Sequence, residues 1–322
     1  MLTVYVDRKS VHMHVDQQRL FVDAGDSHRS IPLRQIERIV IGASVDLSSS
    51  VILRLAEHNI SLIIIHARKP EQWALLNGIL HHDAWRRNTQ YQVVNNAEAC
   101  KKYAIDLVRT KLSGQYRVLR ACLKIRLDQR RVLTAAMGNI KQAIDHLDLA
   151  KEGKEYCSLD HIRGVEGAAA RAYFSAYTQV FSPSLCFTGR NRRPPRDPVN
   201  VALSLSYTLA HGEAHRGIIA AGLDPDLGFF HTIDYGRPSL ACDLIELLRP
   251  AVDLWVWQLF REGHLRLEHF NQQEQSCMLG KAGREHFYAA WSKFVPIMAR
   301  RVRMITRLWI KELKSVEENC EQ

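Results

Sequence analysis

The sequence predicts an α+β protein: a small β-rich N-terminal domain with one inserted helix, followed by a larger all-α domain. Three observations carry this. The first 80 residues hold short runs rich in Val, Ile and aromatics, several with period-two alternation. One stretch among them, SSSVILRLAEHN (residues 48–59), breaks that pattern. From about Trp85 onward, apolar residues recur at helical spacing. The expected domains are therefore residues 1–84 and 85–322, in keeping with roughly 150 residues per domain.

Taken in order, LTVYVD (2–7), VHMHVD (11–16), RLFVD (19–23) and RIVIG (38–42) read as strands separated by Asp, Gly, Asn and Ser. AGDSHR (24–29) reads as a hairpin turn. Serines open residues 48–59, and Val51, Leu53, Leu55 and Ala56 give that segment an apolar face, so it is the inserted helix. ISLIIIHA (60–67) resumes as a buried strand. Ala99 to Val132 reads as one helix, with Tyr103, Ala104, Leu107, Val108 and Leu112 at helical spacing and basic residues between them. A second helix covers Ala135 to Ala150, and EGKEY (152–156) breaks it. GRNRRPPRDP (189–198) is a loop, because its prolines and charges forbid a regular helix. Helical patterns return at Asn200–Ala221, Ser239–Arg249, Ala251–Glu262 and Ala289–Lys314.

Composition narrows the function. With 46% hydrophobic and 24% charged residues the chain is globular, not disordered. No run approaches the roughly 20 apolar residues of a membrane span. The start, MLTVYVDRKS, lacks the long apolar region of a secretory signal, so no membrane association is expected. The cysteines Cys100, Cys122, Cys157, Cys186, Cys242, Cys277 and Cys320 are scattered and form no CxxC pair. That excludes a zinc ribbon or dithiol redox motif and suits free thiols in a reducing cytoplasm. The formal net charge of +10 is unevenly spread. Residues 81–150 hold 13 basic against 6 acidic residues, and residues 281–322 hold 9 against 5. The stretch between them is slightly negative. Two basic segments around an acidic centre favour a phosphate-binding surface.

Three clusters can carry chemistry. RGVEGAAARAYF (163–174) sets Glu166 between two glycines at the start of a small-residue helix, where an acid also suits the helix dipole. LDPDLGFFH (223–231) ends in His231, and a lone histidine after an apolar pair is more often a hydrogen-bonded packing residue than a ligand. GRPSLACDLIELLRP (236–250) offers Ser239 as an N-cap and places Asp243 and Glu246 on one helical face among leucines. Such a pair repels unless a cation or basic group lies between, the plain alternative being an exposed acidic face. Together these residues give oxygen and nitrogen ligands without thiolate. That set suits Mg²⁺ or Mn²⁺ better than structural zinc. Phosphodiester chemistry commonly uses such a cation.

These motifs, in this order, resemble those of the CRISPR-associated spacer-acquisition integrase family, CRISPR-associated protein one. The carrying residues are RGVEGAAARAYF, then RRPPRDPVNVALSLSYTLAHGEAHRGIIAAGLDPDLGFFH (192–231), then GRPSLACDLIELLRP, with RNTQYQ (87–92) and the β-then-α order alongside. The resemblance covers nearly the whole chain. It implies that Glu166, His231 and Glu246 bind a divalent metal, Mg²⁺ or Mn²⁺, with Asp243 assisting metal or substrate. It implies that Arg171, Asn200 and Arg237 support the site or the DNA, Arg237 equally suiting a helix start. Where many members carry an aromatic, often Tyr, in the helix before the His motif, this chain has His211.

The implied reaction is strand transfer. A 3′-hydroxyl of a short incoming DNA, the prespacer, attacks a phosphodiester at the leader-proximal repeat of a CRISPR array. The same site on branched or nicked DNA would act as an endonuclease. No nucleophilic Ser, Tyr or Cys is needed, and His231 could instead serve as general acid or base. Among the basic residues, Arg109, Lys111, Arg117, Arg120, Lys124, Arg126, Arg130 and Arg131 do not all share one helix face. Part of that set, with Arg109, Arg117, Arg120 and Lys124 foremost, is expected on phosphate without base specificity. The resemblance further implies a homodimer, two of which flank a dimer of CRISPR-associated protein two. The N-terminal strands are the expected dimer surface. Two alternatives stand beside this reading. One is a non-catalytic DNA-binding scaffold subunit. The other is a metal-dependent hydrolase of a small substrate using His211 and His215, although HGEAH lacks the HExxH order.

Overall fold

The computed structural model describes residues 2–66, 72–76, 84–155, 157–191, 194–272 and 276–320, with side chains to residue 315. Ala67, Tyr156, Arg192, Arg193 and the side chain of Cys320 lie outside the described residues, as does the stretch 77–83 before the expected boundary. The chain forms two compact units, residues 1–82 and 83–322.

The first unit contains two four-stranded sheets. In one, β1 (Leu2–Val6), β5 (Ile36–Ile41) and β7 (Ser61–Ile65) run parallel and β8 (Trp73–Leu76) closes the far edge antiparallel to β7. β5 lies between two strands, and its Ile39, Val40 and Ile41 are all buried, the continuous apolar run expected of a strand covered on both faces. In the other sheet, β4 (Ser27–Pro32), β3 (Arg19–Ala24) and β2 (Val11–Asp16) form an antiparallel meander, and β6 (Val45–Leu47) joins β2 in parallel. Gly25 and Asp26 make the β3–β4 turn, and Gly25 takes the left-handed φ of 60° that a tight hairpin needs. The inserted helix is α1 (Ser49–Glu57), capped by Ser48 Oγ, which accepts from Val51 N. Met13, Leu20, Ile39, Leu55 and Leu62 share the core of this unit. Burying each such side chain contributes about 1.5–3 kcal/mol.

The second unit is helical: α2 (Ala84–Val94), α3 (Ala97–Leu123), α4 (Arg130–Lys151), α5 (Leu159–Thr178), α6 (Pro198–Ala220), α7 (Ser239–Arg261) and α8 (Lys281–Cys320). It also holds a short hairpin, β9 (Phe270–Gln272) with β10 (Cys277–Leu279), a small exception to the all-α expectation. α6 is buried around nearly its whole circumference and forms the centre of the unit. Asn96, Ser158 and Asp197 cap α3, α5 and α6 through their side-chain oxygens.

Several boundaries differ from the sequence expectation. The helix drawn from Ala99 to Val132 is broken after Leu123. There Arg126 donates to Asp128 and to the Val180 carbonyl, a tertiary tie that draws the chain out of the helix. Glu166 lies inside α5, not at its start, so the helix dipole does not account for it. Pro250 does not divide α7. Its ring packs against Gly114 of α3, where an added Cβ would lie 2.8 and 2.9 Å from the ring carbons. That close approach sets α3 against the middle of α7. Among the described residues, no helix is long and apolar enough to cross a membrane.

Candidate active site

The α3–α7 approach brings Lys111 and Glu246 together. Lys111 lies one turn before Gly114, and Glu246 one turn before Pro250. The Lys111 ammonium, on a residue only 6% exposed, sits 2.5 Å from Glu246 Oε2 and also contacts Glu166 Oε1 of α5. Two carboxylates from two helices thus converge on one cation. Glu246 Oε1 lies 2.8 Å from Nε of Arg249, one turn further along α7. Burial opposes ionisation of Glu246, but Arg249 and Lys111 outweigh it and hold its carboxyl at about 2. Arg249 rests 4.5 Å from the centre of the Tyr207 ring. Burial works against the Arg249 charge too, and Glu246 beside it raises the guanidinium above its ordinary range.

His231 is presented by the loop between α6 and α7. Asp243, fully buried, accepts from the backbone amides of Phe229 (2.6 Å), Phe230 (3.0 Å) and His231 (2.9 Å), and pairs with His231 Nδ1 at 2.6 Å. Four donors fill the carboxylate. With Nδ1–H given to Asp243, His231 carries its lone pair on Nε2. Three further ties fix this loop. Gln90 of RNTQYQ bonds the Asp224 backbone N–H and the carbonyls of Asp224 and Leu227. Ser239 Oγ donates to the Thr232 carbonyl at 2.9 Å, so its hydroxyl holds the loop and does not cap α7. A Cβ on Gly228 would come within 2.8 Å of the His231 carbonyl and of Ser239, so only glycine fits there.

Behind the carboxylates, Tyr173 and Tyr207 donate to the Asp253 carboxylate and Tyr177 to its carbonyl. Burial pushes all three phenols up, and raises Asp253 to about 6. These tyrosines are neutral donors locked into the core.

The whole chain can now be compared with known proteins. Residues 4–293 match the family described as CRISPR associated protein Cas1. The CRISPR-associated endonuclease Cas1 1 of Thermodesulfovibrio yellowstonii is 37% identical over 298 residues, covering 92% of each chain. The chain belongs to the Cas1 family. CRISPR-associated endonuclease Cas1 2 of Rhodospirillum rubrum is 32% identical, covering 90% of this chain and 85% of that one. A solved Cas1 structure from Thermotoga maritima has the same fold, with a TM-score of 0.82, 20% identity, and coverage of 97% of this chain and 96% of that chain.

Among the described residues, no three His, Cys, Asp or Glu side chains are gathered into a ready metal cluster. Lys111 stands between two of the expected ligands, and Asp243 is spent on the His231 loop. Asp243, expected as a possible metal ligand, is thus placed as the residue that orients His231. The donor set nonetheless fits a divalent cation: two carboxylates already closing on an ammonium, and an imidazole with Nε2 left over.

The remaining expected residues separate. Asn200 is fully buried and satisfied by Arg190, Asn191, Gly189 and Asp197, so it supports the 189–197 loop and cannot touch DNA. Arg190, which it positions, lies over the Tyr207 ring that also carries Arg249. Arg237 donates to Thr232 and so braces the His231 loop. Arg109 is paired bidentately with Asp148 across α3 and α4, which matches its charge within the protein. Arg171, Arg117, Arg120 and Lys124 are exposed. Lys111 and Arg249 were missed as site residues. The signal was present for Lys111, a basic residue inside the Leu107, Val108, Leu112 stripe. His211 is a buried imidazole that burial, with His215 and Arg249 adding repulsion, pushes down to about 4.

Proposed function

We propose that this chain is a divalent-cation-dependent DNA strand transferase and endonuclease of CRISPR adaptation, which joins the 3′-hydroxyl of a short DNA to a phosphodiester of the CRISPR repeat. The observation that carries the reading is the convergence of Glu166 and Glu246 on one cation, with Asp243 of the same helix as Glu246 fixing the tautomer of His231. Glu166, Glu246 and His231 Nε2 would hold Mg²⁺ or Mn²⁺, which supplies charge neutralisation at the scissile phosphate and activation of the attacking oxygen. Charge supports the same substrate. Glu166 and Glu246 face Lys111 and Arg249. Adding a divalent cation leaves two units of positive charge, which favours an anionic substrate such as a phosphodiester.

The chain's own residues do the positioning. Asp243 pairs with His231 Nδ1, which leaves Nε2 as the nitrogen with the lone pair. Arg249, clamped on Tyr207, fixes the Glu246 carboxylate. Burial, with the Asp253 charge beside them, holds the neighbouring tyrosines neutral, and burial keeps the Cys242 thiol protonated. This suits a reaction whose nucleophile is the DNA hydroxyl. Joining of a labelled prespacer to a repeat-bearing plasmid tests the reading with Glu166→Ala and His231→Ala. Both variants are expected to lose joining, and undiminished joining in both would sink it.

Exposed Arg117, Arg120, Lys124, Arg130 and Arg131 provide the phosphate-facing charge. A homodimer through the first unit, and assembly with a Cas2 dimer, belong to the same reading. Sedimentation of the chain lacking residues 1–80 checks the first: a monomer is expected, and an unchanged dimer contradicts it.

A further inference from the structure

Glu246 has both carboxylate oxygens engaged, Oε1 by Arg249 and Oε2 by Lys111. A cation that bridges Glu166 and Glu246 needs the place that the Lys111 ammonium holds between them. The two basic groups are not equally free to leave. Arg249, 23% exposed, is held with its planar guanidinium over the Tyr207 ring, whereas the Lys111 side chain is 8% exposed and has no such ring beneath it among the described contacts. Lys111 carries a point charge on a flexible four-carbon stem, and its other partner, Glu166, is 23% exposed. His231 is 29% exposed. An ammonium released from the pair has a path toward solution there, and a DNA phosphate would approach from the same side.

We infer that Lys111 is a built-in placeholder cation: it holds Glu166 and Glu246 together when no divalent cation is bound, and yields them to the metal and swings to the DNA phosphate when one arrives. The inference rests on the metal-dependent reading of this site and adds a competitor within it. Two physical consequences follow. Without metal, the ammonium spares two half-buried carboxylates from facing each other unscreened. With metal, its displacement must be offset from the binding free energy, so the metal-free lysine weakens the apparent affinity for the cation. Losing one charge-assisted contact of this kind corresponds to about a tenfold change in affinity.

The test is Mn²⁺ binding to the full chain, followed by electron paramagnetic resonance, in wild type, Lys111→Met and Glu166→Gln. Lys111→Met is expected to bind Mn²⁺ about tenfold tighter than wild type. Its melting temperature should be lower in chelator and rise further on adding Mn²⁺. Equal or weaker Mn²⁺ binding by Lys111→Met overturns the placeholder role. Glu166→Gln binding Mn²⁺ as tightly as wild type overturns the metal site itself, and the inference with it. The two failures are therefore distinguishable. A second measurement needs no variant: brief acetic anhydride labelling of wild type, read at Lys111 by peptide mass spectrometry. Mn²⁺ is expected to increase labelling of Lys111, and unchanged or reduced labelling overturns the inference.

Discussion

Replacing Asp243 by asparagine tests how the His231 loop is held. The change keeps shape but removes charge and one acceptor oxygen. In the native chain one oxygen takes the amides of Phe229 and Phe230, and the other takes the amide and Nδ1 of His231. Asparagine offers one oxygen and an NH₂, so at least two buried donors face a donor. Hydrogen bonds to a charged group contribute about 1.5–3 kcal/mol each. Losing two sets an upper range of about 3–6 kcal/mol, and loop relaxation brings the expected loss to about 3 kcal/mol. Denaturant unfolding measures the loss, and amide hydrogen exchange locates it. Phe229, Phe230 and His231 should lose protection while the core of α6 keeps it. A loss under about 1 kcal/mol, or unchanged protection at those three amides, refutes the anchoring role.

Other expectations follow from the same geometry. His211 is held at about 4 when folded, against about 6.5 unfolded, so the folded chain binds fewer protons between those values. Its contribution is complete above pH 6.5 and falls by about 3 kcal/mol as pH drops to 4. His211→Phe should flatten that part of a stability–pH curve, and an unchanged slope contradicts the burial argument. Gly114→Ala drives a methyl into Pro250 and should cost about 1–3 kcal/mol, read by thermal unfolding; full stability contradicts the α3–α7 approach. Arg301 on α8 and Arg117 on α3 are both exposed, and the charge of Arg117 acts against that of Arg301, a like-charge pair suited to phosphate. The double variant Arg117→Ala, Arg301→Ala should reduce the salt dependence of DNA binding by about two phosphate contacts, and an unaltered slope removes them from the DNA surface.

The layout of strands and helices was legible because period-two and period-3.6 patterns are local. The sequence also singled out Glu166, His231, Asp243 and Glu246, yet their division of labour was not local. Asp243 and Glu246 are three apart on one helix and look equivalent. They differ because three loop amides point at one and two basic groups at the other. Lys111 resembled its basic neighbours on α3, and only the Gly114–Pro250 contact fixes which carboxylate it meets. Asn200 was open to supporting either the site or the DNA, and the fold engages its side chain with Arg190, Asn191, Gly189 and Asp197. The break between α3 and α4 carries no Gly or Pro, and depends on the distant Val180 carbonyl.

The central claim is that Glu166, Glu246 and His231 hold a divalent cation against the scissile phosphate. The direct measurement is strand joining on a target whose scissile phosphate carries sulfur at one non-bridging oxygen, compared in Mg²⁺ and in Mn²⁺. Mg²⁺ is a hard cation that favours oxygen over sulfur, and Mn²⁺ tolerates sulfur better. Joining of one diastereomer is expected to collapse in Mg²⁺ and recover in Mn²⁺. Equal rates in both metals, for both diastereomers, would contradict a metal–phosphate contact at this site.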